Sequence, residues 1–124
     1  MRLYYASIPL TAFIIIASCQ PGKKDETLAK GEEVYIAHCI SCHGREGEGI
    51  AGKYPPLLKP SGILEVQTQR AIRLIKYGSG FENGMKAIPL TRQEVMEVVN
   101  YIQNSWGNEA PLVSTTQIEA ITNP

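Results

Sequence analysis

The sequence has no surplus of charge of either sign, few aromatic residues and little cysteine. Lys and Arg number 12 and Asp and Glu also number 12, a balance that argues against a nucleic acid as the main partner. Aromatic residues make up only 7% of the chain, and its 124 residues fit one domain. Because small domains bury little surface, an embedded apolar cofactor would help to stabilise this one.

Alternating strand patterns and internal repeats are also missing, which favours an all-α domain with long loops. Three main helices are predicted, at about residues 28–39, 64–77 and 91–106, and Gly107 is expected to end the third. A short final helix is predicted in the tail, where Thr116 and Glu119 have the spacing of a cap pair.

Local signals are clearest in the third helix. Thr91 and Glu94 form a capping box, and apolar residues then recur at helical spacing. In the second helix, Ala71, Leu74 and Ile75 form the predicted buried stripe. These patterns predict a core made where helix faces meet, with the loops left to carry function.

One stretch carries specific chemistry: Cys39-Ile40-Ser41-Cys42-His43 has the C-x-x-C-H pattern of covalent haem c attachment. Two thiols three positions apart lie on one face of a helical turn, where they can form thioethers with the two vinyl groups of a haem. His43 follows at once and can bind the iron. The motif therefore predicts one covalent haem c, anchored by Cys39 and Cys42, with His43 as the proximal ligand.

Two other chemistries use paired cysteines. A zinc site needs four ligands, and outside this stretch only Cys19 and His38 remain. A thioredoxin-like redox pair requires a βαβ context, which the sequence does not show. Neither alternative has the residues or the context that it requires.

The N-terminus explains the third cysteine. A short apolar stretch follows Met1-Arg2, and Ile16-Ala17-Ser18-Cys19 resembles the lipobox of bacterial lipoproteins. This resemblance implies that residues 1–18 are a signal peptide, that Cys19 carries lipid, and that residues 19–27 form the lipidated cysteine and a flexible tether. Residues 28–124 would then be the haem domain.

The alternative for the N-terminus is an uncleaved membrane anchor over residues 3–18. This stretch is short for a spanning helix and contains Pro9 near its middle. Either reading places the domain outside the cytoplasm, at a membrane.

A second iron ligand has four candidates: a methionine, the other histidine, a lysine or none. Met85 lies in a loop without a helical stripe to join, whereas Met96 lies beside the apolar face of the third helix and His38 points away from the motif. A thioether is a soft ligand that favours ferrous iron. The expectation is therefore that Met85 is the distal ligand; the alternative is that it only covers the core.

With these features together, the sequence resembles the class I c-type cytochromes over nearly the whole domain. Gly31, Tyr35 and the C-x-x-C-H motif match the family's first helix, which crosses the last main helix at a glycine–aromatic contact that would involve Val98 and Tyr101. The resemblance implies a small cytochrome c-like fold. It also implies that a proline carbonyl accepts a hydrogen bond from the proximal histidine, with Pro55 the better match and Pro56 the rival.

One departure from the family concerns the distal loop. The family usually has proline directly after the distal methionine, whereas here Lys86 follows Met85 and Pro89 comes later. Lys86 is therefore a possible competing ligand at high pH.

The resemblance implies an electron carrier and not an enzyme. It would pass one electron between extracytoplasmic partners such as a periplasmic dehydrogenase, a cytochrome complex or a terminal oxidase, with no role for nucleic acid. As a bacterial lipoprotein it would face the periplasm or the cell exterior. Two alternatives need a labile sixth ligand: a haem-based gas sensor and a peroxidase-like haem protein.

Overall fold

The computed structural model describes residues 21–57 and 68–123. Its helices within these ranges are α1 (Lys23–His38), α2 (Ile40–His43), α3 (Thr68–Tyr77), α4 (Arg92–Gln103) and α5 (Thr115–Thr122). No β-strand is formed in the described ranges, where an isolated bridge joins Ile50 and Tyr54. The predicted all-α class, with three main helices and a short C-terminal one, is confirmed.

The central packing relationship is between α1 and α4, which share the most extensive helix contact. Gly31 lies at their crossing, where an added Cβ would overlap the carbonyl oxygen of Glu97 and the Cβ of Tyr101. One turn further along α1, the rings of Tyr35 and Tyr101 lie 5.6 Å apart. The glycine–aromatic crossing predicted from the sequence is therefore present, and it needs glycine because the closest neighbour is backbone.

The first helix begins earlier than predicted. α1 starts at Lys23 and not at Leu28, so residues 23–27, which were expected to be flexible tether, are helical. The backbone N–H of Gly22 donates to the carboxylate of Asp25, and Glu26 pairs with Lys30 at 2.8 Å. Acidic side chains in the first turn favour a helix N-terminus, so the acidic residues of this segment help to start the helix.

The last main helix begins where predicted and ends earlier. Thr91 and Glu94 form the expected capping box, with the Glu94 N–H donating to Thr91 Oγ1 at 3.2 Å. At the other end α4 stops at Gln103, so Trp106 and Gly107 lie beyond it. The side chain of Asn104 donates to the Asn100 carbonyl at 3.0 Å, which satisfies an acceptor that the next helical turn would have used.

The predicted stripe of α3 is partly wrong. Ala71 and Ile75 are buried as expected, but Ile72 is fully buried while Leu74 is half-buried. α3 packs against both α4 and α5. Because two helices cover it, the apolar face of α3 is wider than the predicted stripe and lies at a different angle. The helix ends at Gly78 as predicted; its predicted start at residue 64 lies outside the described residues.

The short final helix is present with a different cap. Ser114 is the N-cap of α5, and Ser114 Oγ accepts from the Gln117 N–H at 3.3 Å, so the predicted pair of Thr116 and Glu119 is two residues out of register. Glu119 instead pairs with Arg92 at 3.1 Å. Ile118, which is 1% exposed, is the residue that α5 contributes to the core.

A single apolar cluster joins these helices and reaches the loop before residue 58. Its buried members are Tyr35, Cys39, Leu57, Ala71, Ile72, Ile75, Leu90, Val95, Val98, Val99, Ile102 and Ile118. None of the helices described in residues 21–57 and 68–123 combines the length and apolarity needed to cross a membrane.

Candidate functional site

The C-x-x-C-H motif forms one tight helical turn at the end of α1. The Cys39 N–H donates to the Tyr35 carbonyl at 2.8 Å, and the carbonyl of Cys39 accepts from the N–H groups of Cys42 and His43 at 3.1 and 2.9 Å. Cys39 is buried and Cys42 is partly exposed, and both carry free thiols. The fold therefore presents two unpaired thiols and an imidazole on one short, well-held segment.

The environment of Cys39 is unlike that of a redox cysteine. Burial, followed by the proximity of Cys42, raises the pKa of Cys39 to about 11. Reactive cysteines in redox motifs need a lowered pKa, because the thiolate is the nucleophile. In the described ranges there is also no group of three or more His, Cys, Asp or Glu side chains that could hold a metal ion. The raised pKa of Cys39 weighs against the redox alternative.

His43 is oriented by the backbone of the following loop. Its Nδ1 lies 3.1 Å from the carbonyl oxygen of Pro55. Since a carbonyl can only accept, Nδ1 carries the proton, and Nε2 is left with the lone pair that a metal requires. The hydrogen bond expected from the sequence is therefore present, and it uses Pro55 and not Pro56.

The loop between His43 and Pro55 folds back on itself to make this contact. The Gly49 N–H donates to the His43 carbonyl at 2.7 Å, and Ile50 and Tyr54 exchange hydrogen bonds at 2.9 and 2.8 Å. Gly49 has a φ of +68°, and a Cβ there would lie 2.5 Å from the Tyr54 carbonyl oxygen. Glycine is needed here because the backbone must pass directly against the segment that holds His43.

Tyr35 attaches the same loop to α1. Its hydroxyl donates to the carbonyl of Gly44, the residue after His43, at 2.7 Å. Tyr35 is 1% exposed, and its ring packs against Trp106 at a centroid distance of 5.0 Å. Burial raises the pKa of the Tyr35 phenol, so the hydroxyl remains a donor well above neutral pH. The sequence pattern places Tyr35 on the packed face of α1 but does not reveal this hydrogen bond.

Met85 lies on a second loop, which is held to the end of α3. The Met85 carbonyl accepts from the Ser79 N–H at 2.8 Å, and Ile88 donates to Ile75 at 2.9 Å. The Met85 side chain is half-buried and packs against the apolar cluster. Lys86 Nζ donates to the carbonyl of Glu82 within the same loop.

The other histidine and the other methionine considered as ligands lie on helices. Met96 Sδ accepts from Asn100 Nδ2 at 3.1 Å on α4, in agreement with the packing role predicted for it. His38 is exposed in the last turn of α1. Cys19 lies outside the described residues, so its predicted lipidation stays a prediction.

Two residues that contact the loop between His43 and Leu57 were not predicted from the sequence. Trp106 and Asn108 belong to the turn after α4, which the sequence pattern assigned to the helix and its stop. Trp106 covers Gly47, and Asn108 Nδ2 donates to the Leu57 carbonyl at 2.7 Å. A helical pattern cannot reveal such contacts, because they depend on where the helix stops.

The family described as Cytochrome c matches residues 28–106, which include the C-x-x-C-H turn, Pro55 and Met85. The chain belongs to the cytochrome c family. This confirms the family predicted from the sequence.

Three relatives illustrate the range of the family. The cytochrome c subunit of alcohol dehydrogenase (quinone) from Gluconacetobacter polyoxogenes is 31% identical over 91 residues, which are 65% of this chain and 19% of that subunit. Cytochrome c-552 from Thermus thermophilus is 27% identical over 117 residues, 80% of this chain and 72% of the relative. Cytochrome c-550 from Bacillus subtilis is 35% identical over 63 residues, 51% of this chain and 50% of the relative. The chain thus spans about a fifth of the length of the dehydrogenase subunit.

The residues present fit the haem c that the family implies. Two free thiols lie on one turn, an imidazole has its Nδ1 engaged and its Nε2 available, and a thioether is half-buried at the edge of the core. This donor set has the nitrogen and sulfur chemistry of haem iron ligands, together with two anchors for the porphyrin. A haem would also supply apolar surface to a core with few aromatic residues.

Proposed function

We propose that this cytochrome is a membrane-tethered electron-transfer protein with one covalent haem c. Cys39 and Cys42 would hold the haem by thioether bonds, His43 would bind the iron on the proximal side, and Met85 would bind it on the distal side. The observation that supports this most strongly is the His43 Nδ1 to Pro55 hydrogen bond, which lies next to the two thiols and leaves Nε2 available.

When bound, the haem supplies a one-electron Fe(III)/Fe(II) couple. The carbonyl of Pro55 keeps the His43 ring in one orientation and raises its basicity as a ligand. The Met85 thioether would fill the sixth position and favour the reduced state. With both positions filled, the site has no place for a substrate, so the residues favour electron transfer over oxygen chemistry.

The proposed partners are extracytoplasmic redox proteins. Several relatives are named as cytochrome subunits of dehydrogenases, and we extend that association to this chain, with a cytochrome complex or a terminal oxidase as the other electron partner. Arg70, Arg73 and Lys76 are exposed on α3. Because the overall charge is balanced, docking would depend on such a local basic patch and an acidic surface on the partner.

The proposed location is the outer face of a bacterial membrane, through lipid on Cys19. Several acyl chains give stable anchoring where one does not. Since α1 begins at Lys23, only residues 20–22 separate the lipidated cysteine from the first helix. Even fully extended, this connection reaches about 14 Å, so the haem domain would lie close to the membrane surface, facing the periplasm or the cell exterior.

The direct test of the haem assignment is covalent attachment. The protein is produced with the haem-attachment machinery of a bacterial periplasm, denatured in acid and organic solvent, and weighed by mass spectrometry. The proposal predicts a chain mass increased by one haem, and loss of covalent haem when both Cys39 and Cys42 are replaced by Ser. A chain mass without haem, or haem retained by the double variant, would contradict it.

A further inference from the structure

The segment that holds His43 does not end at Pro55. Two residues later, Leu57 is buried at 7% exposure, and both of its backbone groups are engaged. Its N–H donates to the carbonyl of Gly47 at 2.7 Å, and its carbonyl accepts from Asn108 Nδ2 at 2.7 Å. The loop from His43 to Leu57 is therefore closed upon itself and attached at its far end to a side chain 51 residues away.

Asn108 makes this attachment from a buried position, with 5% exposure. Its Nδ2 donates a second hydrogen bond to the carbonyl of Ile102, in the last turn of α4, at 2.8 Å. Asn108 Oδ1, in contrast, is buried without a hydrogen-bond partner in the described part of the chain. An unpaired buried acceptor costs free energy. The amide is therefore placed so that it donates to Leu57 and to α4, at the expense of its own carbonyl.

The turn that carries Asn108 contains a residue with an unusual backbone conformation, and this residue contacts the same loop as Asn108. Trp106 has a φ of +54°, a left-handed conformation that is uncommon for a bulky residue. Its ring lies directly over Gly47, where an added Cβ would be 2.6 Å from the indole. Backbone strain of this kind persists where the surrounding structure enforces it, often near functional sites. Trp106 and Asn108 thus contact the two residues, Gly47 and Leu57, that hydrogen-bond to each other.

We propose that Asn108 is a positioning residue for the iron ligand His43. This inference rests on the proposed function, since it assumes that His43 binds haem iron. By fixing the Leu57 carbonyl to the end of α4, Asn108 holds the Pro55 carbonyl at hydrogen-bond distance from His43 Nδ1. Loss of the attachment frees the segment, weakens that hydrogen bond and makes the imidazole a less basic ligand. A less basic ligand stabilises Fe(III) less, so the reduction potential rises.

The chain offers a matched control in Asn100. This residue is also a buried asparagine, 1% exposed, and its side chain also holds a loop to α4. Asn100 Nδ2 donates to the Val113 carbonyl at 2.9 Å, and Oδ1 accepts from the Val113 N–H at 2.8 Å. It attaches the segment before α5, and among the residues that the structure describes it makes no hydrogen bond to the loop that holds His43. Replacing Asn100 removes a comparable pair of side-chain hydrogen bonds, but it is not expected to change the position of His43.

The test uses the haem-loaded protein and three variants: Asn108→Ala, Asn108→Leu, which keeps the approximate size of the side chain but has no donor nitrogen, and Asn100→Ala. The midpoint potential and the solvent exchange of the His43 Nδ1 proton, followed by NMR in the reduced state, are measured for each. Both Asn108 variants are expected to shift the redox equilibrium toward the reduced form about threefold, ~30 mV at ~59 mV per tenfold for one electron. Both are also expected to exchange the Nδ1 proton at least tenfold faster, whereas Asn100→Ala leaves both quantities at the wild-type values.

Equal behaviour of the Asn108 and Asn100 variants would overturn the inference while leaving the proposed function intact. Failure of wild-type protein to bind haem through His43 would be the failure of the proposed function. If the Asn108 variants do not fold, native-state hydrogen exchange of the wild type decides. The inference predicts that the Leu57 amide is protected as strongly as the amides at the end of α4, and fast exchange of Leu57 alone would contradict it.

Discussion

The imidazole Nδ1 of His43 donates a hydrogen bond to the carbonyl oxygen of Pro55, 12 residues further along the chain and 3.1 Å away. The contact uses backbone at one end, so it depends on the path of the loop and not on the side chain at position 55. It fixes both the ring orientation and the tautomer of His43. The electron-transfer proposal depends on a proximal ligand that is held in this way.

Replacing Met85 with Ala is expected to lower the midpoint potential and to open the sixth coordination position. The thioether is the ligand that favours ferrous iron, and alanine cannot replace it. The measurement is a redox titration with an absorption spectrum of each state. Met96→Ala is the control, because Met96 Sδ accepts a hydrogen bond from Asn100 on α4, and it should leave the potential unchanged. An unchanged spectrum and potential in the Met85 variant would show that Met85 is not the ligand.

Replacing Gly31 with Ala is expected to destabilise the fold at the α1–α4 crossing. The new Cβ would overlap the Glu97 carbonyl and the Tyr101 Cβ, and overpacking of this kind costs about 1–3 kcal/mol. Alanine favours a helix over glycine by only about 1 kcal/mol, which offsets part of this cost. Chemical denaturation measures the free energy of unfolding.

Gly80→Ala is the comparison for this variant. Gly80 has a φ of +78° with open space around it, so the variant has strain without crowding. If the free energy of unfolding falls more in the Gly80 variant than in the Gly31 variant, crowding at the α1–α4 crossing is not the main effect.

Replacing Tyr35 with Phe is expected to change the response of stability to high pH. Burial raises the pKa of Tyr35 above the usual 10.0, so the folded state keeps the phenol proton that the unfolded chain releases. Stability is therefore full below about pH 10 and falls as the pH rises above it. In the Phe variant the free energy of unfolding should fall less steeply as the pH rises. At neutral pH this free energy should be lower than in the wild type by about 1 kcal/mol, because the hydrogen bond to Gly44 is lost.

Denaturation curves between about pH 8 and pH 11 measure this slope. Tyr101→Phe is the comparison, since burial also raises the pKa of Tyr101 but no hydrogen bond to Gly44 is lost. An alkaline slope in the Tyr35 variant that matches the wild type would mean that the phenol does not cause it.

Replacing Cys19 with Ser is expected to release the protein from membranes. The lipid proposed at Cys19 is the anchor, and serine cannot form the thioether that carries it. Fractionation of cells into membrane and soluble extracts measures the change, with haem content as the check that the domain still folds. Continued membrane association of the variant would favour the uncleaved anchor over residues 3–18.

The features of the fold and the site that the sequence predicted are those that depend on the spacing of residues within a single helix or turn. The C-x-x-C-H turn needs only the geometry of a helix, and the Thr91 cap needs only a side chain and an N–H three residues apart. The Pro55 contact followed from the family resemblance. In the first two cases the atoms that interact are fixed by short-range backbone geometry, which a local pattern encodes.

The parts that could not be predicted depend on where elements stop and on what lies across the fold. Trp106, which lies beyond the end of α4, covers Gly47. Asn108 reaches Leu57 only because the helix stops at Gln103. Likewise, α3 packs against both α4 and α5, and no pattern within α3 records where those two helices lie.

The electron-transfer proposal requires both axial positions of the iron to be filled, by His43 and Met85. Its decisive measurement is the addition of carbon monoxide to the reduced protein at neutral pH, with the Soret band as the readout. Binding is expected to be slow or negligible in the wild type and rapid and complete in the Met85→Ala variant. Rapid, complete binding by the wild type would contradict a closed electron-transfer site and favour a gas sensor or a peroxidase-like protein.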